Sequence, residues 1–353
     1  MNDVIAMKGG GYYSLATLGA KHVIDGASPL VLTAIERMPD AAAPFVFADM
    51  GTADGGTSRD LVARMIEAVR RRWPGREIEL VYTDQPRNDF NALVATIHGQ
   101  APIEGVHPLF SATSFYRQIL PAGALDLGFS ATAMHWLSAK PCDISDHVQA
   151  VGASGAELEA FARQGNADWR VILLHRAREL RPGGRLVLVN FCRDEEGRHL
   201  GRTGGIDMFA TFNRLWRERL AEGRISEAEY RAITLPQYYK TLAEFTRPLT
   251  DPEDPVHQAG LRLEQAETRI VPCPFAVEFR RHGDAAAFAK SYIPTLRSWT
   301  ESSFFAGLDA GRPVEERRRI IDDYYAAYET EVRERPEGHG MDYVHAYLTI
   351  ARV

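Results

Sequence analysis

Two aspartates stand where an apolar run meets a turn. Asp49 closes PFVFADM (residues 44–50) and leads into GTADGGTS, which carries Gly51, Gly55 and Gly56 and ends in Thr57 and Ser58. Asp84 closes EIELVYTD (77–84) and is followed by Gln85. Glycines have no Cβ, so backbone can approach a ligand closely and adopt positive φ at little cost. A strand-end carboxylate can accept a pair of neighbouring hydroxyls, such as those of a ribose, in charge-assisted bonds. The loop fits neither GxGxxG nor GxxxxGK[ST], and it has no lysine to grip a phosphate. An acid ahead of the loop repels a pyrophosphate and suits a cation. S-adenosylmethionine, with a sulfonium and an ammonium, is such a cation. A glycine loop after one strand and an acid ending the next is shared by NAD enzymes and by class I methyltransferases, and these residues alone do not separate the two.

The elements that would position these groups alternate. PFVFADM, EIELVYTD, LDLGFSATA (125–133), GRLVLVNF (184–191), LRLEQAETRIV (261–271) and YVHAYLTIARV (343–353) read as strands. Leu61, Val62, Met65, Ile66 and Val69 form one stripe of a helix over 58–73, capped by Thr57 or Ser58 with Asp60 in its first turn. A second helix, 168–180, runs into the stop signal RPGG. Strands alternating with helices predict an α/β fold with a mainly parallel sheet covered on both faces. Residues 203–255 and 276–335 break the pattern as aromatic-rich helices, with LPQYY, Trp299 and Tyr324–Tyr325 among them. They read as helical insertions forming a cap over the ligand end. Residues 1–202, 256–275 and 336–353 then make the cofactor-binding unit.

Composition narrows the partners. The chain has 353 residues, a formal charge of −6, and 45% hydrophobic and 25% charged residues. Its arginine runs, RRRW (70–73) and Arg317–Arg319, read as solvated helix faces, so nucleic acid is not the expected partner. Cys142, Cys192 and Cys273 are widely spaced, which suggests reduced thiols in a cytoplasm-like compartment and no metal set. The opening MNDVIAMKGG lacks a signal-like apolar core, and the longest apolar runs are strand-sized, so no membrane partner is expected. Only Lys8, Lys21, Lys140, Lys240 and Lys290 are lysines, and Lys8 stands beside three glycines.

MKGGGYYSLA, ADMGTADGGTS, YTDQPRNDFNAL, ATSFYRQILP, FSATAMHWLS, RPGGRLVLV and LPQYYKTLAEF follow one another along the chain. In that order they resemble the SABATH family of S-adenosylmethionine-dependent methyltransferases, which act on small carboxylic acids or, in some members, on ring nitrogens. The resemblance implies a class I methyltransferase fold, Rossmann-like with a mostly parallel sheet and a helical cap, often as a homodimer. It implies that Ser14, Asp49, Gly51, Thr57, Asp84, Gln85, Ser114, Phe115 and Ser130 surround the cofactor. It implies Lys8, His22, His135, Trp136, Met208 and Phe209 around the acceptor, with His22 and Trp136 as tethers of its carboxylate. The N-terminal segment departs from the family pattern: Leu15 replaces a tyrosine, Leu18 an asparagine and His22 a glutamine. Tyr12 or Tyr13 would stand in for the lost tyrosine, and Thr132 occupies a position that is tyrosine in some relatives.

The chemistry asks little of side chains. Methyl transfer from a sulfonium is an in-line displacement. A carboxylate with a pKa of about 4 is already ionised at neutral pH, so no general base is needed. The task is to hold its oxygen roughly 3 Å from the methyl carbon and to exclude water. Trp136 offers an indole N–H donor and His22 a ring donor. The expected product is the methyl ester of a small, aromatic or otherwise apolar acid. N-methylation of a heterocycle or amine is the alternative, and a binding protein without catalysis a third.

Overall fold

The computed structural model describes residues 18–41, 44–99 and 101–353. Helix α1 (Leu18–Glu36) leads into β1 (Phe45–Met50), α2 (Arg59–Arg72), β2 (Ile78–Thr83), α3 (Phe90–His98), β3 (Val106–Ser111) and β4 (Leu125–Ala131). The long α4 (Gly155–Glu179) precedes β5 (Leu180–Arg193). Then come α5 (Met208–Ala221), α6 (Glu227–Ala232), β6 (Lys240–Thr241), α7 (Leu242–Thr250), α8 (Pro255–Gln258) and β7 (Leu261–Val271). Helices α9 (Pro274–His282), α10 (Ala285–Gly307) and α11 (Val314–Glu334) precede the final strand, β8 (Tyr343–Arg352).

The strands form one sheet in the order β3-β2-β1-β4-β5-β8-β7, with short β6 on the end of β5. The first five run parallel, and β8 is antiparallel to both of its neighbours. Chain order reverses between β1 and β4, so a crevice opens there at the carboxyl ends of the strands. Both faces are covered. Val187, Val189 and Phe191 of β5 pack towards α1 and the aromatic helices α5, α10 and α11. Leu186, Leu188 and Cys192 pack towards Trp169 and Leu173 of α4 and Phe245 of α7. Every residue of β1 and β4 is buried, as a parallel sheet requires.

The expected strands are present, and the structure adds β3, which sequence periodicity passes over. Pro108 lies inside it, and a strand with a proline survives only at an edge, where its missing N–H has no neighbour to satisfy. The RPGG signal does coincide with the end of α4 at Glu179, but those residues form the irregular start of β5. Gly183 takes φ +80° there against the ring of Pro39. Helix α2 also differs from expectation: Ser58 sits at its N-cap without capping it, because its backbone is already helical (φ −91°, ψ −3°) and its hydroxyl is turned towards Asp49. Residues 242–255, assigned by sequence to the cap, pack with α4 and β7 on a face of the sheet. No helix among the described residues is long and apolar enough to cross a membrane.

Candidate active site

The crevice between β1 and β4 holds an open cleft of about 1000 Å³, solvent at its mouth included. Asp49, Gly51, Thr57, Asp84, Gln85 and Phe115 all line it, joined by Thr52, Ala53, Ser58 and Asn88. Gly51 takes φ +81°, and a Cβ there would sit 2.6 Å from Ala133 Cβ, so glycine lets the β1 loop meet the turn after β4. Ala53 holds φ 51° without being glycine, a strained conformation costing about 1–3 kcal/mol. Two bonds brace it: Ala53 N–H donates to Asp84 Oδ2 at 2.8 Å, and its carbonyl accepts from Asn88 Nδ2 at 2.7 Å.

The two acids are set differently. Asp49 Oδ2 accepts from Ser58 Oγ at 2.6 Å and Thr52 Oγ1 at 3.1 Å. Burial pushes its carboxyl up to about 6, those two hydroxyls pull it down, and the charge of Asp84 adds to the rise. Asp84 accepts from the backbone N–H groups of Ala53 and Gln85, the latter at 2.7 Å. Burial raises its pKa as well, and the two N–H groups oppose the shift. The cleft lining carries no lysine or arginine among the described residues. A cationic ligand with vicinal hydroxyls fits these acceptors, and Phe115, Ile24 and Leu137 add apolar surface to the lining. S-adenosylmethionine meets those demands.

Deeper in lies a second cavity of about 430 Å³, lined by Ala20, Thr132, His135, Trp136, Phe191, Leu200, Tyr239, Trp299, Met341 and Tyr343. Thr132 and Trp136 stand in the walls of both cavities. Thr132 holds φ 54°, a second strained residue, at the junction. His135 packs edge-on to Phe191 with ring centroids 4.7 Å apart, and its Nδ1 is buried without a partner among the described residues. Burial drives its pKa down to about 3, with the charge of Lys240 adding to the effect, so it is a neutral imidazole. Trp136 Nε1–H has no hydrogen-bond partner among the described residues.

Other sequence-derived site residues fall elsewhere. Ser130 is fully buried and donates to Met50 O at 2.7 Å, tying β4 to β1. Ser114 lines neither cavity; its Oγ accepts from Tyr116 N at 3.4 Å. His22 is exposed and lines neither cavity, whereas Ala20 and Ile24 of the same helix do. Two residues along a helix is over half a turn, which directs His22 away from them. Met208 and Phe209 are buried one layer back: Phe209 packs on Tyr239 and Trp299 at centroid separations of 6.1 and 6.2 Å. Lys8 and Ser14, with Tyr12 and Tyr13, lie outside the described residues. Sequence reading did not assign Phe191, Tyr239, Met341 or Tyr343 to the site. Their one signal is that each falls at or beside the end of a strand or short extended segment bordering the crevice.

The fold and the paired cavities define a class: an α/β methyltransferase with the class I sheet. Consistent with this, the structure superposes on that of loganic acid methyltransferase with SAH at a TM-score of 0.79, covering 98% of both chains at 20% identity. Residues 1–262 match the family described as SAM dependent carboxyl methyltransferase, and the chain belongs to that family. It is similar to O-methyltransferase acrG of Aspergillus aculeatus, 26% identical over 100% of this chain and 97% of the relative. It is also similar to salicylate carboxymethyltransferase of Clarkia breweri, 27% identical over 67% of this chain and 70% of the relative. The protein is therefore an S-adenosylmethionine-dependent methyltransferase.

Proposed function

We propose that the protein converts a small aromatic carboxylic acid to its methyl ester, with the cofactor in the outer cleft and the acid in the inner cavity. The observation that carries this reading is the shared wall: Thr132 and Trp136 border both cavities, so two ligands would meet there. The bound cofactor supplies an electrophilic methyl group. In this reading Asp49 and Thr57 hold its amino-acid end, Asp84 its ribose, and Gln85 and Phe115 its base. Trp136 Nε1–H donates to the acceptor carboxylate, while Phe191, Tyr239, Trp299 and Tyr343 enclose its ring and exclude water. Tyr239 and Trp299 come from the two segments read as a cap. Lys8 and Ser14 would complete the ends of the two ligands, and a cytoplasmic homodimer is the expected working form.

The alternative is N-methylation of a small heterocycle. It is favoured by the inner lining, which has no cationic side chain among the described residues, so a neutral ring enters without a charge to desolvate. One assay separates the two. Methyl-labelled S-adenosylmethionine is offered with a panel of aromatic and aliphatic acids, heterocycles and amines. Label on an acid, released by mild base, supports the ester. Base-stable label on nitrogen selects the alternative and rejects the ester.

A further inference from the structure

We propose that Tyr116 and Asp168 form a positioning pair through which occupancy of the cofactor cleft sets Trp136 for the acceptor. The inference rests on the reading above that the two cavities hold cofactor and acceptor. Phe115 is a wall of the outer cleft, and the next residue, Tyr116, stands beside it outside the lining. Its phenol donates to the main-chain oxygen of Trp136. The rings of Phe115 and Tyr116 are in contact, with centroids 4.9 Å apart, so a ligand pressing on one constrains the other.

Asp168 holds the far side of the same turn. Its carboxylate accepts from Ser138 N at 2.9 Å and Ser138 Oγ at 2.6 Å, and from Gln164 Nε2 at 2.9 Å. It also stands beside the Tyr116 phenol. Trp136 is thus gripped at its own carbonyl from the cofactor side and two residues later from α4. The same helix braces the cofactor wall: fully buried Arg176 donates to Phe115 O at 3.1 Å and Arg117 O at 2.7 Å, and Glu179 accepts from Ile119 N at 2.5 Å. A single helix therefore carries the supports of both walls, Asp168 for the acceptor turn and Arg176 for the cofactor segment.

The energetic consequence is coupling. A ligand that orders Phe115 and Tyr116 removes part of the ordering cost of Trp136, so the second ligand binds more tightly, and linkage makes the effect reciprocal. An effect on the order of 5- to 10-fold in acceptor affinity lies within the usual range of such couplings.

The test uses the whole 353-residue chain and S-adenosylhomocysteine, which fills the cleft without reacting. Indole fluorescence is titrated in the wild type and in Trp136→Phe, and the difference isolates the Trp136 response. Tyr116→Phe removes the phenol donor, and Asp168→Asn retains shape while weakening the grip on Ser138. The expected result is a Trp136 response in the wild type that at least halves in each folded variant, with S-adenosylhomocysteine affinity within about twofold. An undiminished response in a folded variant overturns the proposal. So does the absence of a Trp136 response in the wild type, or a loss of ligand affinity as large as the loss of signal, which would mark plain structural damage. The titration needs no acceptor, so it stands if the panel above rejects the ester. Where an acceptor is in hand, both variants should raise its KM by 5- to 10-fold more than they lower kcat.

Discussion

Asp49 and Asp84 end neighbouring parallel strands and turn their carboxylates onto one cleft, where the charge of Asp84 adds to the burial that lifts Asp49 to about 6. Two like charges held together without a fixed cation among the described residues lining the cleft make a site that gains by receiving one.

Cofactor affinity should therefore depend on pH through Asp49. A cation favours its ionised form, so binding below about pH 6 must expel a proton, and affinity should fall by up to tenfold per unit from pH 6 to pH 5 while levelling off above 6. The sign for stability is opposite. Between about 4 and 6 the folded chain holds a proton at Asp49 that the unfolded chain has lost, so this group's contribution to stability declines as pH rises through that window. Calorimetry of S-adenosylhomocysteine binding from pH 5 to 7 checks the first statement. A flat profile in the wild type, or one unchanged in Asp49→Asn, rejects it.

Asp84→Ala should weaken cofactor binding by roughly 10- to 100-fold, the worth of charge-assisted hydrogen bonds to a ligand. The residue also accepts from the N–H groups of Ala53 and Gln85, so the strained loop loosens too. Unchanged affinity would remove Asp84 from the ribose role.

Trp136→Phe and Trp136→Ala should behave differently. The phenylalanine keeps most of the shared wall and loses only the indole donor. Acceptor KM should rise roughly 5- to 20-fold, as for one net hydrogen bond, with cofactor affinity within twofold. The alanine opens both cavities and should harm both ligands. A phenylalanine variant with wild-type acceptor kinetics would argue against the tether.

His22→Ala should leave acceptor KM within about twofold, because this exposed side chain lines neither cavity. A tenfold rise would restore the tethering role that the sequence resemblance implies.

Arg176→Met should destabilise the fold by about 3–5 kcal/mol in denaturant unfolding, since it leaves Glu179 buried with its ion-pair partner removed. Adding Glu179→Leu should recover a large part of that loss. A single variant as stable as the wild type would show that Glu179 is relieved by other means.

The sheet was legible because its central strands, β1, β4 and β5, are buried on both faces and read as apolar runs, and the cleft because Asp49 and Asp84 each follow an apolar run directly. The expected hydroxyl cap failed for a physical reason: Ser58 already has helical backbone angles, and its Oγ is turned to donate to buried Asp49 instead of accepting from the N–H groups of its own helix. Edge strand β3 hid behind Pro108. The second cavity was harder still, since its walls come from Ala20, Thr132, Phe191, Tyr239, Trp299 and Tyr343, scattered over most of the chain.

What the sequence determined by itself is whatever depends on neighbours along the chain: strand and helix periodicity, the glycine bend, the acids at strand ends, and the HWLS segment. Tertiary structure alone decided which side chains share a cavity. Helix phase turned His22 outward while Ala20 and Ile24 faced in, and packing set Phe209 one layer behind Tyr239 and Trp299. Side-chain direction follows from how elements pack across the crevice, and no local spacing encodes that.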